Sequence, residues 1–438
     1  MVKSEVCECN SFYFVGISGV SMSALAKILL KNGKIVAGYD RVDGQFAQSI
    51  KGLGVDVSFD LNADISGFDC VVYTDAIASN NKILLNARSL NKLVVSRGSL
   101  LAEICRQFSC VTAVAGCHGK TTCTAMLAHV FKAANLEFSA HIGGEDLSFE
   151  NAYVAGTDYF VTEACEFKRN FLLLKPDIAL ILNSDADHLD CYSSAENLKD
   201  AYRQFVNQSK TAISLYGDGV GGDITFGLDG RATFYARKLR NEKGYYNFIA
   251  YERGAELGKV ALSVPGKHNV LNALAAISVA RTLGLEFEKI SEGIARFKGV
   301  GRRFEYVGKL NGASCIADYA HHPNEIKAAL NTARLITSGE LYVVFQPHTY
   351  SRTKTLFKQF VGVLSSVKRL MVYKTYAARE YYDDAGSALT LSSALKRSKY
   401  GDCPEDICDF IANCRQGDVL LILGAGDIYD IVKSLIKG

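Results

Sequence analysis

The chain has 438 residues, of which 48% are hydrophobic and 22% charged, and its formal net charge is +3. This length predicts two to four domains, and the near-neutral charge argues against binding to nucleic acid or to an anionic membrane through bulk electrostatics. No run of 18 apolar residues and no apolar N-terminal segment occurs, so we expect neither a transmembrane helix nor a secretory signal. Thirteen scattered cysteines predict reduced thiols in a cytosolic protein, without a zinc site.

Residues 12–40 predict a strand, a helix and a second strand. The turn after the first strand reads GISGVS and keeps only Gly16 and Gly19 of a dinucleotide-binding fingerprint. Asp40 ends the second strand, where a carboxylate can bond a ribose hydroxyl. Taken alone, such a turn also fits simple packing of a strand on a helix. Further strands at 55–59, 70–73 and 93–96 predict a small doubly wound domain that ends near residue 108.

The stretch VTAVAGCHGKTTCT, residues 111–124, carries the most specific pattern. A buried strand is followed by Gly116, Cys117, His118, Gly119 and Lys120, and then Thr121 and Thr122 open a helix. This arrangement suits a polyphosphate, because glycines leave backbone N–H groups accessible to it and a helix N-terminus points at it. The lysine adds positive charge, and a threonine hydroxyl can reach Mg²⁺. Val114 replaces one glycine of the full consensus. The pattern predicts an ATP-type site.

Acidic side chains follow the next two predicted strands. The strand at 159–163 ends at Glu163, with Glu166 three residues later, and the strand at 178–182 precedes Asn183, Asp185, Asp187, His188 and Asp190. Ligands of parallel sheets lie beyond the carboxyl ends of the strands, and oxygen donors there suit Mg²⁺. His188 either binds the metal or orients a carboxylate.

Residues 205–262 are rich in short strands and turns, without chemistry that we can assign. His268 and Asn272 then share one face of a helix start, where they either read a base or simply cap the helix. Arg302 and Arg303 lie beside glycines, and their forked guanidinium groups match phosphate geometry. From residue 314 the chain alternates again, with a helix predicted at 351–364. The clusters DYAHHP (318–323), QPHTYSR (346–352) and GAGD (424–427) follow predicted strands.

Eight motifs in one order carry a family resemblance, over residues 12–427. AGCHGKTT, the strand-end Glu163, NSDADHLD, GKHNVLNALAA, GRRFE, DYAHHP, QPHTYSRT and LGAGDI are similar to the motifs of the Mur ligases. The resemblance implies three α/β domains: a Rossmann-like UDP-sugar-binding domain (1–108), a central P-loop-type ATPase domain (109–308) and a Rossmann-like C-terminal ligase domain (309–438) that closes over ATP.

Within that family the motifs resemble those of the enzymes that add L-alanine to UDP-N-acetylmuramate in peptidoglycan synthesis. The implied reaction consumes ATP with Mg²⁺ and proceeds through an acyl phosphate, in a cytoplasmic monomer or homodimer. The resemblance implies phosphate binding by residues 116–122, with Lys120 and Arg302 on the reacting phosphate, and metal binding by Thr121, Glu163 and His188. For the nucleotide it implies adenine contact by His268 and Asn272, and ribose or phosphate contact by Asp318 and His321. For the substrates it implies UDP-sugar contact by Gly19, Ser21 and Asp40, and contact with alanine or the muramoyl end by Glu166, His348 and Arg352.

The sequence departs from the family pattern at a few positions. Ser18 and Ser21 replace glycines of the first turn, Ala164–Lys168 reads ACEFK where ADESD is usual, and Thr349 replaces an arginine. Arg203 lies where some members have a carbamylated lysine. Three alternatives stay open: a recycling ligase of the same family that joins a tripeptide to UDP-N-acetylmuramate, a nicotinamide-dependent oxidoreductase, and an inactive binding protein.

Overall fold

The computed structural model describes residues 5–185, 191–192 and 194–437. Helices and strands alternate along the chain, and the strands form sheets of five, ten and six members. This confirms the predicted α/β class with three sheet-bearing regions. Within the described ranges, no helix has the length and apolar character that crossing a bilayer requires. The residues fall into two compact units, 1–238 with 248–261 and 271–297, and 239–247 with 262–270 and 298–438.

The first sheet has five parallel strands in the order β3-β2-β1-β4-β5. Its strands are β1 Ser11–Val15, β2 Ile35–Tyr39, β3 Asp56–Ser58, β4 Cys70–Tyr73 and β5 Leu93–Ser96, and its helices are α1 Glu5–Glu8, α2 Val20–Lys31, α3 Gln45–Lys51, α4 Lys82–Ser89 and α5 Arg97–Cys105. Phe12 and Phe14 pack in one apolar cluster, and Tyr13 and Val15 pack in another. Both faces of β1 are therefore covered, as a parallel sheet requires. All five predicted strands of this region are confirmed.

The second sheet has ten strands in the order β15-β14-β13-β12-β11-β10-β6-β9-β7-β8. They are β6 Cys110–Ala115, β7 Phe138–Asp146, β8 Glu150–Val154, β9 Tyr159–Glu163, β10 Ile178–Ile181, β11 Thr211–Leu215, β12 Ile224–Gly227, β13 Phe234–Glu242, β14 Tyr245–Glu252 and β15 Ala255–Pro265. The helices are α6 Lys120–Ala133, α7 Ala195–Asn207, α8 His268–Thr282 and α9 Phe287–Arg296. The central strand β6 pairs in parallel with β9 and β10. The β-rich stretch at 205–262 thus extends this same sheet.

The third sheet has six strands in the order β16-β17-β21-β18-β19-β20, all parallel except for the pair β16–β17. Its strands are β16 Glu305–Leu310, β17 Ala313–Asp318, β18 Leu341–Phe345, β19 Arg369–Tyr373, β20 Ser398–Gly401 and β21 Val419–Leu423, and its helices are α10 Pro323–Ile336, α11 Tyr350–Thr355, α12 Phe357–Leu364, α13 Ala388–Ser393, α14 Pro404–Phe410 and α15 Ile428–Lys437.

The single helix predicted at 351–364 is wrong in one respect, because it is divided into α11 and α12. Leu356 lies between them with φ −102° and ψ 15°, outside helical geometry. Its side chain is buried in the apolar core of the third sheet. The N–H of Leu356 still donates to the Arg352 carbonyl and its carbonyl accepts from the Phe360 N–H, both at 3.0 Å, so the break is a change of backbone angles at a position that carries neither glycine nor proline.

Candidate active site

The loop at residues 116–119 joins the end of β6 to the first residue of α6, Lys120. Gly116 and Gly119 have φ values of 135° and 85°, a region that favours glycine. A Cβ on Gly119 would lie 2.6 Å from Oδ1 of Asn272, so a side chain is excluded by space as well. The predicted sequence of strand, glycine turn and helix is confirmed.

The side chain of Asn183 braces the middle of this loop. Its Oδ1 accepts from the backbone N–H of His118 at 3.0 Å, and its Nδ2 donates to the His118 carbonyl at 2.9 Å. Oδ2 of Asp185 lies 3.5 Å from Nε2 of His118, and the Cys117 thiol donates to the Asp185 carbonyl. Part of the polar cluster after β10 therefore supports the loop. His188, like Asp187 and Asp190, lies outside the described residues.

Lys120 forms an ion pair with Glu166. Its Nζ lies 2.9 and 3.1 Å from the two carboxylate oxygens of Glu166 and also donates to the Gly116 carbonyl. The Glu166 side chain is completely buried. Desolvation by itself would lower the pKa of Lys120, but the adjacent Glu166 carboxylate raises it above its ordinary value. The loop therefore carries a fixed positive charge, and Glu166, predicted to contact substrate, lies against that charge.

Glu163 lies at the end of β9, beside the loop strand β6. The N–H of Gly143 donates to Oε1 of Glu163 at 2.6 Å. A Cβ on Gly143 would lie 2.6 Å from Oε2, so glycine is needed there for the carboxylate to fit. Thr121 is buried in the first turn of α6. Thr121 therefore lies on the helix that follows the loop, and Glu163 lies at the end of the strand that pairs with β6.

The first-sheet turn at residues 16–19 is tied to the end of β2. Oδ2 of Asp40 accepts from the backbone N–H of Ser18 at 2.8 Å. Gly19 is the N-cap of α2, and Ser21 lies in that helix's first turn. The Ser21 hydroxyl accepts from the Arg97 guanidinium at 3.2 Å and lies 2.8 Å from Nε2 of His141. The structure thus brings two residues that the sequence did not single out, Arg97 and His141, to the predicted UDP-sugar turn.

In the second compact unit, Arg302 is held in a fixed position. Its guanidinium lies 5.0 Å from the ring centres of Tyr319 and Tyr429 and donates to the Gly426 carbonyl at 2.7 Å. Cation–π contact on both sides limits the rotation of the side chain. The GAGD turn after β21 therefore positions an arginine.

Four further predicted residues cluster at the carboxyl ends of β17 and β18. The ring centres of His321 and His348 are 5.9 Å apart, and Nη1 of Arg352 lies 3.4 Å from Nδ1 of His348. Asp318 accepts from the backbone N–H groups of Ala320 and Phe304 at 2.8 and 3.0 Å. Burial raises the pKa of Asp318 to about 6. Burial, with His321, Arg352 and Arg302 nearby, lowers the pKa of His348 to about 3, so its imidazole is neutral at pH 7.

The two residues predicted to read a base fall in different compact units. His268 begins α8 and belongs to the second unit, where a Cβ on Gly266 would lie 2.9 Å from its Nδ1. Asn272 belongs to the first unit, and its side chain lies beside Gly119. The structure therefore brings Asn272 to the phosphate loop, while the base-reading role of the pair stays a prediction.

Family models match three consecutive segments of the chain. They are described as Mur ligase family, catalytic domain (residues 11–109), Mur ligase middle domain (114–280) and Mur ligase, glutamate ligase domain (302–426). A relative from Clostridium beijerinckii, named UDP-N-acetylmuramate–L-alanine ligase, is 37% identical over 98% of this chain and 98% of its own. The chain belongs to the Mur ligase family.

Solved structures agree with this membership. A UDP-N-acetylmuramate–alanine ligase from Thermotoga maritima has a TM-score of 0.85 and 28% identity, covering 98% of both chains. A murein peptide ligase from Psychrobacter arcticus has a TM-score of 0.75 and 20% identity, over 98% of both chains, and shares the fold. Mur ligases are ATP-using ligases, so the chain is an enzyme of this type, and the oxidoreductase and inactive-protein alternatives lose their basis.

Three site neighbours in this Mur ligase were missed from the sequence: Arg97, His141 and Gly143. Arg97 directly follows β5, so the strand-end rule that selected Glu163 would have found it. His141 and Gly143 lie in β7, whose first five residues, FSAHI, alternate between apolar and polar side chains, a strand signal that the prediction did not use. That alternation predicts a strand but gives neither residue a role in the site.

Proposed function

We propose that this Mur ligase uses ATP to join L-alanine to the carboxylate of UDP-N-acetylmuramate, in peptidoglycan precursor synthesis. The observation that carries the proposal is the full-length similarity to a relative named for this reaction. The geometry of the loop supports it, because a charged lysine, a helix N-terminus and a strand-end carboxylate meet where a triphosphate can bind.

The first step joins two anions, and this is the part of the reaction for which the charged residues are suited. A carboxylate oxygen of the muramoyl group attacks the γ-phosphorus, and ADP leaves with the electron pair of the broken P–O bond. Lys120 and Arg302 compensate the negative charge, and both are held rigidly, Lys120 by Glu166 and Arg302 by two tyrosines. Preorganised charge of this kind stabilises a transition state without reorganisation.

In the second step the alanine amine attacks the acyl phosphate. The tetrahedral intermediate collapses to the amide and releases inorganic phosphate. Because its pKa is about 3, His348 is a poor base near neutral pH. We therefore assign His348 and Arg352 to binding of the alanine carboxylate or the muramoyl end, and not to removal of the amine proton.

Oxygen donors in the first unit fit a magnesium ion. The Thr121 hydroxyl and the Glu163 carboxylate are of the type that Mg²⁺ prefers, and we propose that they hold it with His188. When bound, the ion supplies positive charge to the phosphates. The remaining roles follow the family resemblance, with His268 and Asn272 on adenine, Asp318 and His321 on the ribose or phosphates, and Gly19, Ser21 and Asp40 on the UDP-sugar.

We also propose domain boundaries near residues 108 and 308, since the first matched segment ends at 109 and the third begins at 302. A cytoplasmic location follows from the substrates, because ATP and nucleotide sugars are consumed. We propose a monomer or homodimer.

A substrate panel tests this function. Phosphate release is measured with ATP, Mg²⁺ and UDP-N-acetylmuramate, adding L-alanine, glycine, L-serine or L-Ala-γ-D-Glu-meso-diaminopimelate separately. We expect the highest kcat/KM with L-alanine, and a product heavier than UDP-N-acetylmuramate by one alanine residue. Preference for the tripeptide would favour the recycling alternative. The Lys120→Ala variant is expected to lose at least about 100-fold in kcat, and near-normal turnover by it would overturn the assignment of the loop.

A further inference from the structure

A histidine buried inside β7 connects the UDP-sugar turn with the strand that ends at Glu163. His141 is 2% exposed. Its Nε2 lies 2.8 Å from the Ser21 hydroxyl, and its Nδ1 lies 2.9 Å from the Thr162 hydroxyl. Ser21 belongs to the first turn of α2, and Thr162 directly precedes Glu163 on β9. One side chain therefore joins two parts of the site that are distant in sequence.

The direction of these hydrogen bonds follows from the chemistry of the groups at each end. A guanidinium only donates, so Arg97 donates to the Ser21 hydroxyl. At the other end, the Thr162 hydroxyl donates to the Glu163 carbonyl at 3.2 Å. Burial and the nearby Arg97 lower the pKa of His141 to about 3, so one ring nitrogen donates and the other accepts. A consistent chain then runs from Arg97 through Ser21, His141 and Thr162 to Glu163, with the proton of the ring on Nδ1.

We propose that His141 is a positioning residue that couples occupancy of the UDP-sugar turn to the placement of Glu163. The inference rests on the proposed function, since it takes Ser21 as a UDP-sugar contact and Glu163 as a metal ligand. A substrate that binds at Ser21 and orders its hydroxyl strengthens each successive bond of the chain, because aligned hydrogen bonds polarise one another. By reciprocity, a nucleotide bound with Mg²⁺ tightens the binding of the UDP-sugar.

A histidine that only fills space and satisfies polar neighbours predicts something different. Removing its hydrogen bonds would then lower stability and leave the coupling between the two ligands unchanged. Gly143, two residues after His141 on β7, donates directly to the Glu163 carboxylate. Strand β7 thus contacts the Glu163 carboxylate directly through Gly143 and reaches the Glu163 backbone carbonyl through His141 and Thr162, which gives the imidazole an indirect means of affecting the position of the carboxylate.

Two substitutions at Thr162 separate these possibilities, one close in shape to threonine and one smaller by a methyl group. Thr162→Val removes the hydroxyl and keeps the shape, whereas Thr162→Ser keeps the hydroxyl. Thr124→Val is the matched control, because Thr124 is a fully buried threonine in α6 whose hydroxyl has no hydrogen-bond partner among the described residues. His141→Phe is the direct variant, interpreted only where its melting curve shows a folded protein.

The full-length enzyme is titrated with UDP-N-acetylmuramate, with and without Mg²⁺ and a non-hydrolysable ATP analogue, by calorimetry. For the wild type, Thr162→Ser and Thr124→Val, we expect the nucleotide to lower the Kd of UDP-N-acetylmuramate at least fivefold. For Thr162→Val we expect less than a twofold effect and a tenfold fall in kcat, with the KM for L-alanine unchanged.

Equal coupling in Thr162→Val and in the wild type, or no coupling in the wild type, would overturn the inference. The proposed function would still stand if the wild type ligates L-alanine. A wild type that neither binds UDP-N-acetylmuramate nor ligates alanine would overturn the function itself, so the two failures are distinguishable.

Discussion

Nζ of Lys120 lies 2.9 Å from a carboxylate oxygen of Glu166, a side chain that is completely removed from solvent. In the absence of nucleotide this carboxylate is the counter-ion of the phosphate-loop lysine. A triphosphate at the loop brings a second source of negative charge to the same amine. The two anions therefore compete for Lys120, and the strength of the ion pair affects how tightly the nucleotide binds.

Glu166→Gln is expected to destabilise the free protein and to increase its stabilisation by ATP. The variant leaves the lysine charge without a counter-ion, at a cost of about 3–5 kcal/mol in the free energy of unfolding. Because the triphosphate replaces the missing charge, the rise in melting temperature on adding Mg²⁺ and ATP should exceed that of the wild type. Glu145→Gln, at an exposed glutamate, is the control. An unchanged rise in Glu166→Gln would contradict the competition.

Gly143→Ala is expected to displace the Glu163 carboxylate, because the new Cβ would lie 2.6 Å from Oε2. If Glu163 binds Mg²⁺, kcat should fall at least about tenfold and the Mg²⁺ concentration for half-maximal activity should rise. Gly362→Ala in α12 is the control, since nothing lies within 4 Å of its Cβ position. That substitution should stabilise the protein by about 0.5–1 kcal/mol without changing activity. A wild-type Mg²⁺ titration in Gly143→Ala would argue against Glu163 as a metal ligand.

Asp318 should make the protein less stable as the pH rises from about 4 to about 6. The native pKa is about 6 and the ordinary value is 3.8, so the native state binds the proton more tightly than the unfolded state. The unfolding free energy therefore falls over this window, by about 3 kcal/mol in total. Asp318→Asn should remove this contribution, so that its melting temperature relative to wild type is higher at pH 7 than at pH 4.5.

Asp229→Asn provides a control of opposite sign for this measurement. A hydrogen bond from Arg231 lowers the pKa of Asp229 to about 2. Its contribution to stability is therefore present above pH 3.8 and is lost as the pH falls towards 2. Replacing Asp229 should not raise the relative melting temperature at pH 7. Equal pH profiles for Asp318→Asn and the wild type would mean that the native pKa of Asp318 is not raised.

Arg302→Lys should have a larger effect on kcat than on the free energy of unfolding. Lysine keeps the charge but loses the planar fork, which packs between Tyr319 and Tyr429 and donates to Gly426. We expect kcat to fall at least about tenfold, because the substitution removes one charge-assisted hydrogen bond. Arg231→Lys, at a surface ion pair, should leave kcat unchanged. Steady-state kinetics with saturating ATP measure kcat for both variants. A lower melting temperature with an unchanged kcat would show that the role of Arg302 is structural.

Local patterns allowed much of the site to be predicted. The loop at 116–122 follows from glycines at positions that require positive φ, and Glu163 follows from its place at a strand end. Contacts between distant residues could not be predicted in this way. Ser21 meets His141 across 120 positions and Arg97 across 76, and only the packing of two sheets decides which side chains meet.

The strands that were not predicted from the sequence have different causes. Residues 138–146 of β7 contain a histidine and two glycines, so that a buried strand carries no continuous apolar run. β20 is four residues long and mostly accessible. The break at Leu356 has no sequence signal either, because the position carries no helix-breaking residue.

The strand order of the second sheet has a consequence for synthesis on the ribosome. β6, which ends in the phosphate loop, has no neighbour made before it in its own sheet, since its partners β9 and β10 end at Glu163 and Ile181. The nascent chain must therefore carry an unpaired apolar strand until 48 further residues (116–163) have been made, and β6 is paired on both sides only after 66 (116–181). Nucleotide-binding competence arises late in translation, and the exposed strand marks this interval as the one in which chaperones would bind.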